Sequence, residues 1–184
     1  HWECKMRKTV LFDEKTILNR VREVADEIND EYGDKPIVAI PLLRGGIMFA
    51  TDLIRNLKCP VELDFLTTSS YGFSETSSGN VNILSDLRTD IEGKDVIIID
   101  DIIDTGKTLY KVRDFLKTKN PNSIKICTML DKPSRRDADI SVDFCGFEVD
   151  DLFIVGYGLD YQNFYRNIPY IFVFEKDDDN EWWK

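Results

Sequence analysis

The stretch VIIIDDIIDTGKTL, residues 96–109, carries the most information about the fold of this 184-residue chain. A run of β-branched residues leads into Asp100 and Asp101, and Asp104 follows just before Thr-Gly-Lys-Thr. This order predicts a buried strand, a turn and the start of a helix. Backbone N–H groups at such a helix start bind anions, and Gly106 allows a close approach of the ligand. The stretch therefore predicts a phosphate site at the end of a strand.

The Gly-Lys-Thr sequence at 106–108 also resembles part of a P-loop, but its spacing does not fit. The P-loop pattern needs a second glycine five residues before Gly106, where this chain has Asp101. A nucleoside triphosphatase is therefore disfavoured. An isolated Asp-Thr-Gly is more often simple turn chemistry, so the strand before it and the helix after it carry the prediction.

Three carboxylates beside a phosphate site would repel the phosphate unless they bind other groups. Asp100 and Asp101 can accept hydrogen bonds from vicinal hydroxyls or hold Mg²⁺. Asp104 can act as a base toward a nitrogen-bearing reactant. Sugar hydroxyls, a phosphate and a nitrogen nucleophile together indicate a phosphoribosyl substrate.

Helical and strand-like patterns alternate along the rest of the chain. We predict helices at 13–31 (capped by Asp13), 47–57 and 107–119, and strands at 36–43, 61–68, 95–100, 123–130, 142–149 and 170–175. This alternation indicates a mostly parallel, doubly wound sheet, in which ligands bind at the carboxyl ends of the strands. The Gly/Ser-rich stretch 69–80 predicts a lid. We expect one domain over 1–184, with an acidic tail at 176–184.

The composition disfavours or excludes several classes of protein. Acidic residues outnumber basic ones 34 to 24, and the net charge of −10 argues against nucleic acid as the main partner. No apolar run is long enough to cross a membrane, and residues 1–10 have no apolar signal segment. Met6 is a candidate natural start, with residues 1–5 a cloning remnant. The single histidine, His1, excludes a Ser-His-Asp triad and a His-rich metal centre.

The cysteines give little support to a zinc site, because they are scattered and no CxxC motif is present. They are Cys4, Cys59, Cys127 and Cys145. We expect free thiols in a cytoplasmic protein, and two disulfides are the alternative.

The 96–109 stretch resembles the signature of type I phosphoribosyltransferases, in which two acids contact the ribose hydroxyls of 5-phosphoribosyl 1-diphosphate (PRPP). Further segments resemble the hypoxanthine-guanine phosphoribosyltransferases, and the similarity covers about residues 9–175. These segments are PLLRGGIMFATDL (41–53), SSYG (69–72), LDKPSRR (130–136) and GFEVDDLFIVGYGLDYQNFYRNIPYI (146–171). The resemblance implies the type I fold, an α/β architecture with a mostly parallel twisted sheet flanked by helices and a small hood over the active site.

The resemblance also implies roles for individual residues. Asp104 would be the catalytic base facing purine N7, while Asp100 and Asp101 would bind ribose and metal. The residues implied to bind the 5-phosphate beside Asp104 are Thr105, Gly106, Lys107 and Thr108. Those implied to bind diphosphate are Leu43, Arg44, Gly45 and Arg166, with a cis peptide between Leu43 and Arg44.

For the purine, the resemblance implies a different set of residues. Lys132 would contact the 6-oxo group, Phe153 would stack on the ring, and Ile154 would offer backbone groups. Asp160 would lie beside the purine and hold a second Mg²⁺. Ser70 and Tyr71 would belong to the lid loop.

The implied activity is transfer of the phosphoribosyl group from PRPP to N9 of a 6-oxopurine, hypoxanthine or guanine, with Mg²⁺ as cofactor. The protein would be a dimer or tetramer. Asp100 stands where these enzymes commonly have glutamate, and Asp-Asp occurs in xanthine-guanine enzymes, so a xanthine-guanine phosphoribosyltransferase is a second interpretation. A nucleotide-sensing regulator that binds nucleic acid is a third, which the negative charge disfavours.

Overall fold

The structure is a computed structural model, and it describes residues 9–70 and 81–174. Its helices are α1 (Glu14–Tyr32), α2 (Ile47–Ile54) and α3 (Lys107–Lys117). Its strands are β1 (Thr9–Phe12), β2 (Ile37–Leu43), β3 (Val61–Leu63), β4 (Leu66–Ser70), β5 (Val81–Ile83), β6 (Asp95–Ile103), β7 (Ser123–Asp131), β8 (Phe144–Glu148), β9 (Ile154–Val155) and β10 (Ile171–Val173). The predicted helices and strands are present except that β3 and β4 replace the single strand predicted at 61–68, whereas β1, β5 and β9 were not predicted.

The main sheet has the strand order β5-β4-β2-β6-β7-β8, and β3 also pairs with β2. Its pairs are parallel except for β4 and β5, which run antiparallel. Residues Ile97 and Ile99 of β6 join one core with α1 and α2, whereas Val96 and Ile98 join a second core with α3. Because alternate side chains of a strand point to opposite faces, β6 is buried on both sides. The doubly wound α/β fold is confirmed.

The prediction of a single strand over 61–68 was wrong, because the chain leaves the ladder at Asp64. Its carboxylate accepts backbone hydrogen bonds from Phe65 at 2.8 Å, Arg88 at 2.7 Å and Thr89 at 2.8 Å. Burial opposes ionisation of Asp64, but these N–H donors together hold its pKa below the usual value. A carboxylate that binds a neighbouring loop in this way separates β3 from β4.

Two helices end before their predicted limits. Helix α2 ends at Ile54 instead of 57, and α3 ends at Lys117 instead of 119. In both cases the next residues form tighter three-residue turns, as in the 3.0 Å bond from the Asn56 N–H to the Leu53 carbonyl. Helix α1 begins as predicted, with the Thr16 N–H donating to Asp13 Oδ1 at 2.8 Å.

A small antiparallel sheet of order β1-β10-β9 lies apart from the main sheet. Its own core contains Val155, Tyr165, Ile168, Phe172 and Phe174. This sheet corresponds to the expected hood.

Two expectations drawn from composition concern membranes and cysteines. Within 9–70 and 81–174, no helix has the length and apolar character needed to span a membrane. Cys59, Cys127 and Cys145 are free thiols, as expected, and Cys4 lies outside the described residues.

Candidate active site

The acid pair lies within β6, because this strand continues three residues beyond its predicted end at Asp100. The ladder with β7 pairs Asp100 with Thr128 and Ile103 with Asp131. The Asp101 N–H donates to Asp100 Oδ1 at 2.9 Å, and the Ile102 N–H donates to Asp101 Oδ1 at 2.7 Å. The two carboxylates also share a side-chain hydrogen bond, so Asp100 and Asp101 form one linked acid pair.

Electrostatics disfavour two negative charges at this position. Burial, followed by repulsion from Asp101, raises the pKa of Asp100 well above its usual value. Burial also raises the pKa of Asp101. The positive charge of Arg166 acts on both carboxylates in the opposite sense. A cation bound at the pair would therefore restore the charged form of both groups.

Two loops meet around Asp101 of β6 at distances that leave no room for side chains on Gly45 and Gly158. A Cβ atom added to Gly45 would lie 2.1 Å from Asp101 Oδ2, and one added to Gly158 would lie 2.1 Å from the Gly45 carbonyl oxygen. Gly158 also has a φ of +100°, which L side chains rarely adopt. The loop after β2, the acid pair and the 156–158 turn are thus in direct contact. The Leu43–Arg44 peptide is cis, as the resemblance implied.

Arg166 and Asp160 form an ion pair beside this contact. Arg166 Nη2 lies 2.9 Å from Asp160 Oδ1, and its Nη1 donates to the Gly158 carbonyl at 2.6 Å. The second oxygen of Asp160 accepts the Asn163 N–H at 2.8 Å. Arg44 is exposed and donates to the Asn163 side chain at 3.2 Å. The predicted diphosphate residues therefore come together with Asp160 at one edge of the sheet.

A cavity of about 200 Å³ lies between the end of β6 and the start of α3. It is lined by Asp100, Ile102, Ile103, Asp104, Thr105, Gly106, Thr108 and Leu109. Gly106 precedes α3 with a φ of 83°. Lys107 does not line this cavity, and its ammonium pairs with Asp137 at 2.9 Å. The backbone and hydroxyl groups of the predicted phosphate loop are therefore well placed, whereas the lysine side chain lies elsewhere.

Asp104 has a carboxylate oxygen available to a ligand. Its Oδ1 is buried and receives no hydrogen bond from the described residues. Arg135 Nε lies 2.7 Å away, which makes an ion pair without hydrogen-bond alignment. The Asp104 side chain is 41% exposed, so this ion-paired carboxylate can still accept a hydrogen bond from a ligand N–H.

Lys132 contacts the residue before Asp104 and the residue before Phe153, and so connects these two segments. The Lys132 N–H donates to the Ile103 carbonyl at 2.9 Å, and its Nζ donates to the Leu152 carbonyl at 2.6 Å. Lys132 is 8% exposed, so it is a buried lysine and not a solvated surface one. Phe153 is 53% exposed and makes edge contacts with Phe174 and Tyr161 at centroid distances of 5.7 and 6.0 Å. Such a fixed, open ring suits stacking.

Comparisons with known proteins agree with this arrangement. A model of the phosphoribosyl transferase domain family matches residues 9–162. This chain belongs to the phosphoribosyltransferase family. It is 50% identical over 164 residues to the hypoxanthine phosphoribosyltransferase of Buchnera aphidicola, covering 88% of this chain and 93% of that protein. It is also 50% identical to the hypoxanthine-guanine phosphoribosyltransferase of Bacillus subtilis, covering 89% and 91%.

Solved structures of the family have the same fold. A hypoxanthine-guanine phosphoribosyltransferase from Bacillus anthracis has a TM-score of 0.85 at 40% identity, covering 91% of this chain and 98% of its own. A mutant hypoxanthine phosphoribosyltransferase from Trypanosoma cruzi, in a ternary complex with substrates, has a TM-score of 0.85 at 39% identity, covering 94% and 97%. The type I phosphoribosyltransferase fold is confirmed.

The sequence analysis of this phosphoribosyltransferase missed several residues at the site. Tyr157 donates its hydroxyl to Asp52 Oδ2 at 2.5 Å, which joins α2 to the 156–158 turn. Arg135 pairs with Asp104, and Arg136 donates to the Asp104 carbonyl at 3.2 Å. The two adjacent arginines directly after a predicted strand were the signal that could have indicated their importance.

The predicted lid is only partly described by the structure, and a second cavity is present. Ser70 ends β4, whereas Tyr71 and the rest of the predicted lid up to residue 80 lie outside the described residues. A larger cavity of about 690 Å³ lies at the opposite, amino-terminal ends of β2 and β6, near Lys35 and Asp95. Lys94 there already pairs with Glu62 at 2.9 Å. The acid pair lies at the other, carboxyl edge of the sheet.

Proposed function

We propose that this protein transfers the 5-phosphoribosyl group from PRPP to N9 of hypoxanthine or guanine, giving IMP or GMP and diphosphate. The Asp104 carboxylate is the observation that carries the proposal, and its Oδ1 is ion-paired with Arg135 at 2.7 Å. It lies between a phosphate-sized cavity and, through Lys132, the exposed ring of Phe153. The names of relatives at 50% identity support the same activity.

The donor would bind along the carboxyl edge of the sheet. The 5-phosphate would occupy the cavity, where the Thr105 and Thr108 hydroxyls and the backbone at the start of α3 can donate hydrogen bonds. The ribose hydroxyls would donate to the carboxylates of Asp100 and Asp101. The diphosphate would lie against the loop 43–45 and Arg166.

The acid pair also fits a magnesium ion. Mg²⁺ binds one or two carboxylates and completes its shell with water and substrate phosphates. Among the described residues, no group of three or more acidic, cysteine or histidine side chains is arranged to hold a metal alone. Two carboxylates with raised pKa values beside a diphosphate subsite match that coordination. When bound, Mg²⁺ neutralises charge on the departing diphosphate.

The purine would stack on Phe153, with Ile154 offering backbone groups to its edge. The Lys132 ammonium, now bonded to the Leu152 carbonyl, would donate to the 6-oxo oxygen. A 6-amino group would instead present N–H donors to this cation, so adenine would bind poorly. Asp160, engaged by Arg166 and Asn163, remains a predicted metal and purine contact.

In the reaction, the bond from C1 of the ribose to diphosphate breaks as purine N9 forms its bond to C1. Asp104 accepts the proton from N7, so that no positive charge remains on the purine ring. Arg166 stabilises the negative charge that develops on the diphosphate. The sites for PRPP, for the purine and for the transferred proton would then all lie at the carboxyl edge of the sheet.

The experiment measures diphosphate release with PRPP and Mg²⁺ and, separately, hypoxanthine, guanine and xanthine. We expect turnover with the first two bases, and Asp104→Asn should lower kcat/KM about 100-fold, the usual contribution of a positioned base. Asp34→Asn is the control, because Asp34 is an exposed aspartate outside the site. Absence of turnover with every 6-oxopurine would refute the proposal.

The xanthine-guanine interpretation remains the alternative, and the Asp100-Asp101 pair is the observation that favours it. A kcat/KM for xanthine above that for hypoxanthine would select it. The cytoplasmic location, the dimeric or tetrameric assembly and the lid role of Ser70 and Tyr71 remain predictions.

A further inference from the structure

Arg136 uses all three nitrogens of its guanidinium group on three separate segments. Nε donates to the Asp104 carbonyl at 3.2 Å, Nη1 donates to the Ile140 carbonyl at 2.9 Å, and Nη2 pairs with Asp131 at the end of β7. Its side chain is 19% exposed. A partly buried arginine with a full set of acceptors is held in one orientation.

The residues after Arg136 also contact the phosphate loop, 104–108. The N–H groups of Asp137 and Ala138 donate to the Thr105 carbonyl at 2.9 and 3.0 Å. A Cβ atom on Gly106 would lie 2.6 Å from Ile140 Cγ2 and 3.0 Å from Arg136 Cδ. The loop thus lies directly on this segment, which follows the Pro133–Arg135 turn.

These contacts determine which backbone groups can face an anion. The Asp104 and Thr105 carbonyls accept bonds from the Arg136 segment, and the Gly106 carbonyl accepts the Tyr110 N–H at 2.9 Å within α3. Carbonyl oxygens carry partial negative charge and repel phosphate, whereas N–H groups attract it. Holding these carbonyls in bonds to the protein keeps them from turning toward the cavity.

We infer that Arg136 is a positioning residue for the 5-phosphate subsite, although it does not itself line the cavity. The inference rests on the proposed function, because it takes the cavity at Thr105 and Gly106 to be the 5-phosphate site. Lysine could keep the ion pair with Asp131 but has no planar fork to reach Asp104 and Ile140 as well. The geometry of the loop, rather than its charge, depends on arginine at this position.

The test compares Arg136→Lys with Arg20→Lys. Arg20 is a matched control, since it is also partly buried, at 25% exposed, and donates to the carbonyls of Cys145 and Gly146 at 2.8 and 2.7 Å. Neither of those carbonyls belongs to the phosphate loop. Both variants lose the same kind of side-chain to backbone hydrogen bonds.

We expect Arg136→Lys to raise the KM for PRPP about tenfold, the factor that corresponds to loss of one charge-assisted hydrogen bond. The KM for hypoxanthine should stay unchanged. IMP should bind more weakly by the same factor, whereas inosine, which lacks the phosphate, should bind as before. Arg20→Lys should lower the Tm without changing any of these constants.

Equal losses of Tm in both variants with unchanged IMP affinity would overturn the inference, because Arg136 would then be only structural. If Arg136→Lys does not fold, Asp131→Asn removes the ionised partner at constant size and should shift IMP, but not inosine, in the same direction. If the wild-type protein shows no turnover, the proposed function fails. Calorimetry with ribose 5-phosphate and ribose would then still test the role of Arg136.

Discussion

The two glycine-containing loops at the carboxyl edge of the sheet are held in different ways. The loop after β6 rests on side-chain and backbone donors from the segment 136–140. The loop after β2 instead meets Asp101 and Gly158 at distances that exclude a Cβ atom. A substitution can weaken the hydrogen bonds of the first loop one at a time. A close contact between two backbone segments, in contrast, leaves no room for an added atom. The loop at 43–46 should therefore be the more sensitive of the two to substitution.

Gly158→Ala should have the largest effect. Its Cβ would lie 2.1 Å from the backbone oxygen of Gly45, and its φ of +100° disfavours any L side chain. We expect a loss of about 4 kcal/mol of unfolding free energy, from backbone strain and overpacking together, measured by urea denaturation. Gly33→Ala is the control, since Gly33 also has a positive φ, of +56°, but no atom within 4 Å of its Cβ position. Equal losses in the two variants would show that the contact has no special cost.

Tyr157→Phe tests whether a side-chain hydrogen bond also stabilises the loop after β2. The change removes the 2.5 Å hydrogen bond to Asp52 and leaves that partly buried carboxylate without the donor. We expect a loss of about 2 kcal/mol, seen as a lower Tm by calorimetry. Tyr110→Phe, on an exposed position of α3, should leave the Tm unchanged. An unchanged Tm for Tyr157→Phe would mean that this hydrogen bond does not stabilise the loop. The close contacts of the glycines would then be what holds it.

Gly45→Ala should separate activity from stability. Its Cβ would meet Asp101 Oδ2, which is the end of a side chain and can rotate away. We expect the KM for PRPP to rise about tenfold, as for loss of one hydrogen bond to a charged group, with little change in Tm. Steady-state kinetics over a PRPP series, with calorimetry on the same sample, checks both parts. A large fall in Tm with a normal KM would contradict it.

Asp100→Asn should have the smallest effect, and it should stabilise the free protein. Burial and repulsion raise the pKa of Asp100, so the folded protein holds this proton more tightly than the unfolded chain. Stability therefore falls as the pH rises from the unfolded pKa, near 4, through the folded pKa. At pH 7 the variant should be more stable by up to about 1 kcal/mol, and the difference should vanish below pH of about 4.

Thermal unfolding at several pH values checks this prediction. Asp34→Asn is the matched control, because Asp34 is an exposed aspartate outside the site. A destabilised Asp100→Asn at pH 7 would mean that its carboxylate stabilises the ligand-free protein. Asp100 would then stabilise the two loops that lie beside it, and its burial would not lower the stability of the protein.

Much of the site could be predicted from local sequence. The acids, the turn and α3 occupy one continuous stretch, so hydrophobic periodicity and capping preferences identify them directly. The contacts of Arg136 could not be predicted, because its acceptors at Asp104, Asp131 and Ile140 come together only when the chain folds. For Lys132 the role was predicted from the resemblance, but its hydrogen bond to the Leu152 carbonyl is seen only in the folded chain.

By itself, the sequence determined the alternation of helices and strands, the acid pair that follows the apolar part of β6 and the membership of the family. These features depend on residue type and local spacing. Only the tertiary structure decided that Asp64 divides one predicted strand, that Gly158 meets Gly45, and that Arg136 holds the phosphate loop. Such contacts join segments far apart in the chain, and packing rather than local pattern determines which of them form.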